Sequence, residues 1–199
     1  MERGLPRGYK KDYGVRPVIT KRQQAAAVQR SFMETGFCLG SNMGGRLRLL
    51  SQAKTLILLE PNVRFVDQSP VYETEPVGVK PEFKAMKFLN AVLIVESPYT
   101  AEEWLAKIKK IETTLQRVRT ADRNAPRPID VDILFCGSQI VDSDLLQVPH
   151  ARWAERRFVV QPLADVRPEL VLPGTESPVM KILAQMDGND DVRLFSEKW

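Results

Sequence analysis

One histidine and two cysteines are all that this 199-residue sequence holds of imidazole and thiol metal ligands, and its aromatic content is only 8%. Cys38 and Cys136 stand far apart, with no second Cys or His at metal-ligand spacing. That excludes a disulfide framework and a structural zinc site, and it fits a reducing compartment. Both thiols read as small buried hydrophobes. No apolar run approaches the roughly 18 residues that a membrane-spanning helix needs, so a cytoplasmic location and no membrane partner are expected. Gly-x-x-x-x-Gly-Lys-Ser/Thr is absent, as is a Gly-rich loop paired with His-Arg-Asp, so the common nucleotide-binding frameworks do not apply. An RNP-type aromatic signature is also missing, which argues against an RNA-binding module and against any nucleic-acid partner.

What is present is a hydrophobic content of 43%, enough for one domain with a real core. The net charge of +4 is unevenly spread. Residues 1–32 carry eight basic side chains against Glu2 and Asp12, a net of +6, which leaves −2 on the rest. A slightly acidic body with a basic tail is not the pattern of a nucleic-acid binder. The tail has no sustained apolar period and is expected to be disordered, or weakly helical around Gln23 to Gln29. Three readings compete for it. It could be an organelle-targeting peptide, although Ser31 is its only serine and such peptides are serine-rich. It could bind an acidic partner. The favoured reading is an extension upstream of a natural start at Met33, giving an extension at 1–32 and a domain at 33–199.

From Thr35 the punctuation becomes regular. The pattern predicts a strand over Thr35 to Leu39, a turn at Gly40-Ser41-Asn42, and a helix carrying Leu47, Leu50, Ala53 and Ile57. Val63 to Tyr72 reads as a second strand and Phe88 to Val95 as a third. Thr100 with Glu103 forms a capping box, and Trp104, Ile108, Ile111, Leu115 and Val118 recur as one helix face. After a polar loop, Ile129 to Phe135 reads as a strand. The order βαββαβ predicts an α+β, ferredoxin-like core, an antiparallel sheet with helices packed on one face. A hairpin around Gly137-Ser138 and helices near Trp153 to Leu163 and Val179 to Met186 would follow it. Trp104 and Trp153 read as packing residues.

Asp130 and Asp132, two apart on a strand, point to one face and could converge on a hard cation such as Mg²⁺. Taken alone, such a pair is more often the charged outer face of an edge strand. Arg117, Arg119, Arg123 and Arg127 precede it, a cluster of guanidiniums suited to polyphosphate. Metal beside arginine forks is what phosphoryl-type transfer requires, although an Arg-rich loop can also be solvated surface. His150, read alone, could be a surface or capping residue.

Leu39-Gly40-Ser41-Asn42, Tyr72-Glu73-Thr74-Glu75-Pro76-Val77-Gly78, Phe88-Leu89-Asn90, Arg117-Val118-Arg119, Pro126-Arg127-Pro128-Ile129-Asp130-Val131-Asp132-Ile133-Leu134 and Val148-Pro149-His150, with Arg156 and Phe158, resemble the hydroxymethyldihydropterin pyrophosphokinase family. The resemblance runs from about Phe37 to Leu170. It implies ATP and 6-hydroxymethyl-7,8-dihydropterin as substrates, two Mg²⁺ ions on Asp130 and Asp132, and AMP as a product. It also implies that Arg117 and Arg127 steady the transferring diphosphate. Glu112, Arg119, Arg123, Ile133, His150 and Arg156 would contact ATP. Thr74, Pro76, Val77, Phe88, Asn90 and Phe158 would hold the pterin. A monofunctional enzyme of folate biosynthesis with no obligate protein partner is expected. The sequence departs from the family at Asn124-Ala125, where Trp-Gly is common, at Gln116 for Gly, and at Pro128 for Thr. A degenerate, inactive relative is the rival reading, which the intact Asp pair and arginines oppose.

Overall fold

Antiparallel pairing dominates the described chain because its central strand, β4, collects partners along both edges. The computed structural model describes residues 31–118, 122, 124–187 and 192–199. Arg119, Thr120, Arg123 and the basic segment 1–30 lie outside them. The elements are β1 (Met33–Ser41), α1 (Arg46–Leu58), β2 (Arg64–Gln68), β3 (Val71–Thr74), β4 (Phe88–Ser97), α2 (Ala101–Thr114) and β5 (Asp130–Cys136). They are followed by β6 (Val141–Asp142), β7 (Gln147–Val148), α3 (Arg157–Val166), α4 (Val179–Gln185) and β8 (Val192–Ser196). The main sheet has six strands in the order β5-β1-β4-β3-β8, with β2 also paired to β4. No helix among the described residues is long and apolar enough to cross a membrane.

Strand alternation divides the apolar residues between two cores. Phe37, Leu39, Leu93, Val95, Val131 and Ile133 face α1 and α2, meeting Leu50, Ala53, Ile57, Trp104, Ile108 and Ile111. Cys38, Val92, Ile94, Leu134 and Phe135 face the opposite way and are covered by Val159, Val160, Leu163 and Ala164 of α3 with Val179 of α4. The two helices of the βαββαβ core thus pack on one face, as expected, and the later helices α3 and α4, for which no face was predicted, cover the other. The near-continuous apolar run of β4 is the mark of a strand buried on both sides, and the apolar stripe of α3 supplies the second cover.

Three expectations shift, and one strand is new. The strand predicted over 63–72 is two strands, because Pro70 has no N–H for the ladder. There Ser69 takes over, donating its N–H to Val92 O at 2.9 Å and accepting from Val92 N at 2.8 Å. The turn at Gly137-Ser138 forms, with Gln139 N donating to Cys136 O at 3.0 Å, but the strands it joins do not pair, and the hairpin is β6–β7, turning at Ser143–Leu146. The helix predicted from Trp153 opens with a 3-10 turn, Trp153–Glu155, before α3 begins. β8 was not anticipated, being five residues of mixed polarity that form a strand only by pairing with β3.

α2 begins where its capping box predicted: Thr100 Oγ1 accepts from Glu103 N, and Glu103 Oε2 accepts from Thr100 N. It ends sooner than its apolar stripe suggested, and Val118 is 80% exposed beyond it. Gln116 adopts φ of +64°, the left-handed conformation that closes helices and favours glycine. Gln116→Gly is expected to stabilise the fold by about 0.5–1 kcal/mol, since glycine enters that region without Cβ strain. A urea midpoint that stays level or falls would contradict this.

Candidate active site

The polar end of the sheet lies on the face that α3 covers. Register places Gly40 of β1 between Asp130 and Asn90, and Cys38 between Asp132 and Val92. Asp130 and Asp132 thus share that face, while Val131 and Ile133 turn into the core. Ile133, only 5% exposed, turns its side chain into the core, as strand alternation requires. Gly40 is a close approach: a Cβ there would lie 3.0 Å from Asn90 Oδ1.

Asp130 is gripped from two sides. Arg117 Nη1 donates to its Oδ1, and Arg127 Nη1 donates to its Oδ2 at 2.7 Å. Arg117 also donates to Glu112, a buried carboxylate on α2 that accepts from Val131 N at 3.1 Å. The last turn of α2 and the first residues of β5 are thereby joined through one charge network. The arrangement satisfies a buried carboxylate that would otherwise be costly. A cavity of about 490 Å³ opens beside it, lined by Lys109, Glu112, Thr113 and Arg117.

Arg127 also has its guanidinium carbon 5.7 Å from the centre of the Phe88 ring. Its Nε is buried with no hydrogen-bond partner among the described residues. An unpaired guanidinium N–H costs free energy until an acceptor arrives, so the position suits an anion. Its backbone is held by the β1–α1 turn, where Arg127 N donates to Asn42 Oδ1 at 2.7 Å and Ser41 Oγ donates to Pro128 O at 2.6 Å.

Asp132 is the freer carboxylate. Burial, then the charge of Asp130, pushes its carboxyl up to about 7, against the pull of Arg156 and Arg117. Its side chain is nevertheless 43% exposed through the cleft mouth, so water screens part of that cost. His150 Nε2 lies 3.9 Å from Asp132 Oδ2, while its Nδ1 accepts from Arg152 N at 3.2 Å. The proton of a neutral imidazole therefore sits on Nε2, toward Asp132. Burial, then Arg156, lowers the pKa of His150. Burial with the two aspartates nearby pushes the Cys38 thiol well up, so it is a packed thiol and not a nucleophile.

Across β1, Asn90 Nδ2 donates to Thr74 Oγ1 at 2.8 Å. Asn90 is thus pinned with an amide edge beside Phe88. The Arg156 guanidinium carbon lies 5.6 Å from the centre of the Phe158 ring, and Phe158 packs against the α3 core. Pro76 and Val77 sit in the loop after β3, where Val77 projects into solvent at 75% exposed. That loop meets the one before β5 through Asn124 Nδ2 donating to Gly78 O at 2.7 Å and a Lys80–Asp122 ion pair at 3.1 Å.

The structure therefore joins Glu112, Arg117, Arg127 and Asp130 in one network, Asp132 with His150, Arg127 with Phe88, and Asn90 with Thr74. Arg119 and Arg123 fall outside the described residues. Sequence reasoning quoted Ser41 and Asn42 as a motif but gave them no role. Their value lies in contacts more than 80 residues away along the chain.

Among the described residues no group of three or more His, Cys, Asp or Glu side chains could enclose a metal. Two hard carboxylates on one face fit Mg²⁺ nonetheless, because that ion is held by one or two carboxylates together with substrate phosphates. At neutral pH without divalent cation, Asp132→Asn is expected to raise the melting temperature. A carboxyl whose folded pKa exceeds its unfolded one costs stability as pH rises from about 4 to about 7. After allowance for exposure the gain is about 1 kcal/mol, and it should vanish near pH 4. A melting difference that does not change with pH would contradict this.

Comparison with known proteins identifies the family. A family profile described as 7,8-dihydro-6-hydroxymethylpterin-pyrophosphokinase (HPPK) matches residues 37–168. The folic acid synthesis protein fol1 of Schizosaccharomyces pombe is 32% identical over 79% of this chain and 21% of its own length. The 2-amino-4-hydroxy-6-hydroxymethyldihydropteridine pyrophosphokinase of Methylorubrum extorquens is 37% identical over 75% of this chain and 90% of its own. A crystal structure of Plasmodium falciparum HPPK-DHPS with pteroate shares the fold, with a TM-score of 0.63 at 14% identity, covering 78% of this chain and 42% of that one. The chain thus spans less than a third of the length of its fungal and plant relatives, and it is a member of the 7,8-dihydro-6-hydroxymethylpterin-pyrophosphokinase family.

Proposed function

We propose that the chain moves the terminal diphosphate of ATP onto the hydroxymethyl oxygen of 6-hydroxymethyl-7,8-dihydropterin, releasing AMP and the pterin diphosphate in folate biosynthesis. The observation that carries this reading is Arg127. It holds Asp130 with one nitrogen, stacks on Phe88, and keeps a buried Nε free for an anion at the seam between a charged half and a heterocycle-sized half. We also read the core as the ferredoxin-like βαββαβ arrangement, with residues 1–32 as an extension and 33–199 as the working domain.

Asp130 and Asp132 would hold Mg²⁺, two ions in this reading, which when bound neutralises phosphate oxygens and favours displacement at phosphorus. The protein's own share is positioning and charge. Arg117 and Arg127 line up on the transferring diphosphate, and their donors gain most as charge shifts to the leaving AMP. Glu112 keeps Arg117 oriented. His150 and Arg156, with Arg119 and Arg123, complete the ATP side. On the other side, Phe88 and Phe158 clamp a flat ring, while Asn90, held by Thr74, reads its edge, with Pro76 and Val77 as the outer lip. The pterin oxygen forms its bond to the β-phosphorus as the bond to the α-phosphate oxygen breaks, and the hydroxyl proton is released. Enforced proximity of the two substrates supplies much of the rate. We place the enzyme in the cytoplasm, with no partner beyond its small-molecule substrates.

AMP release from ATP and Mg²⁺, measured with and without the pterin, tests the reading. Pterin-dependent AMP is expected, at a similar rate from a chain beginning at Met33. ADP as product, or no dependence on pterin, would sink it.

A further inference from the structure

Asn42 is 4% exposed, yet its side chain is fully engaged. Its Oδ1 accepts from Arg127 N at 2.7 Å, its own N–H donates to Arg127 O at 3.3 Å, and its Nδ2 donates to Met86 O at 3.4 Å. Next to it, Ser41 Oγ donates to Pro128 O. The β1–α1 turn therefore grips both peptide groups around Arg127, and the same amide reaches the segment that runs into Phe88. Three stretches distant in sequence meet at one buried side chain. One carries Arg127, one leads to the ring under Arg127, and one is the turn itself. A side chain as long as arginine aims its guanidinium only as well as its backbone is fixed, and sub-ångström misplacement is costly in a positioned transfer.

We propose that Asn42 is a positioning residue for diphosphate transfer, acting through Arg127 and setting its place relative to Phe88. The inference rests on the proposed reaction. Asn42 touches neither the carboxylates nor the stacked rings in any contact above, so its influence has to pass through the Arg127 backbone. Removing it would loosen an interaction that strengthens in the transition state, and would appear in kcat more than in KM.

The test is a double-mutant cycle on the full chain, with hydrogen exchange at the Arg127 amide measured in parallel. Asn42→Ala is expected to lower kcat about 30-fold, with both KM values within about threefold, as for loss of a preorganised donor. Added to Arg127→Ala it should cost less than about twofold more, because the two act as a unit. The Arg127 amide should exchange at least about tenfold faster in Asn42→Ala, following loss of its acceptor. Asn42→Asp keeps the acceptor, so protection there should persist, which decides the matter even if the alanine variant does not fold. Additive losses in the cycle, wild-type protection of Arg127 in Asn42→Ala, or lost protection in a folded Asn42→Asp would each overturn the proposal. Wild type without pterin-dependent AMP would overturn the activity reading and with it the role in transfer, whereas the exchange data would still decide whether Asn42 holds the Arg127 backbone.

Discussion

Asp130→Asn is expected to cut pterin-dependent AMP release by on the order of 10³-fold while circular dichroism stays native, a loss of the size seen when a preorganised charge partner is removed from a transfer site. Both oxygens of Asp130 are committed, one to Arg117 and the other to Arg127. An amide offers one acceptor and turns an N–H₂ group toward a guanidinium, so one arginine is pushed away. The substitution also removes one of the two carboxylates proposed to hold Mg²⁺. The fold should survive, because Val131 N is still held by Glu112 and Gly40 still faces position 130 across the ladder. Steady-state rates at saturating ATP, pterin and Mg²⁺ check the result. Turnover within tenfold of wild type would remove Asp130 from the site, and a lost circular dichroism signal would make it a folding residue.

Trp104→Ala is expected to be the most damaging change to stability, at about 3–5 kcal/mol. Trp104 is fully buried on α2, where its Nε1 donates to Ser97 Oγ at 3.0 Å. Its ring meets Phe37 edge-on at 4.8 Å and Tyr99 at 5.4 Å. Alanine would leave a cavity between α2 and the sheet, break two aromatic contacts and remove the shorter of the two hydrogen bonds that Ser97 Oγ accepts. Against a total stability of about 5–15 kcal/mol, that is a large share, and the melting temperature should fall by roughly 10 °C. A chemical denaturation midpoint within experimental error of wild type would mean that the neighbouring side chains collapse into the space.

These two residues differ in how visible their roles were beforehand. Trp104 stood on a helical stripe behind a capping box, so local chemistry identified it as core. The Asp pair was visible as a shared strand face, and the arginines as a cluster of like charge. Arg127 stands only three positions before Asp130, but that Arg117 joins it there, while Asp132 is left toward His150, depends on where residues 13 positions earlier and 18 positions later come to rest. Local spacing carries no such information. Ile133 follows the same alternation, which turns its side chain into the core.

The starts of β2, β4 and β5 to within one residue, the capping box and the two apolar helix faces followed from the sequence alone, because each depends on residues within one or two turns of each other. The order of the first strands and helices was legible for the same reason. Which face of the sheet the last helices cover, the capture of β8 by β3, and the three-way junction at Asn42 were decided only in the folded chain. Each is a contact between segments dozens of residues apart, formed because a leftover apolar face or an unpaired polar group found its complement there.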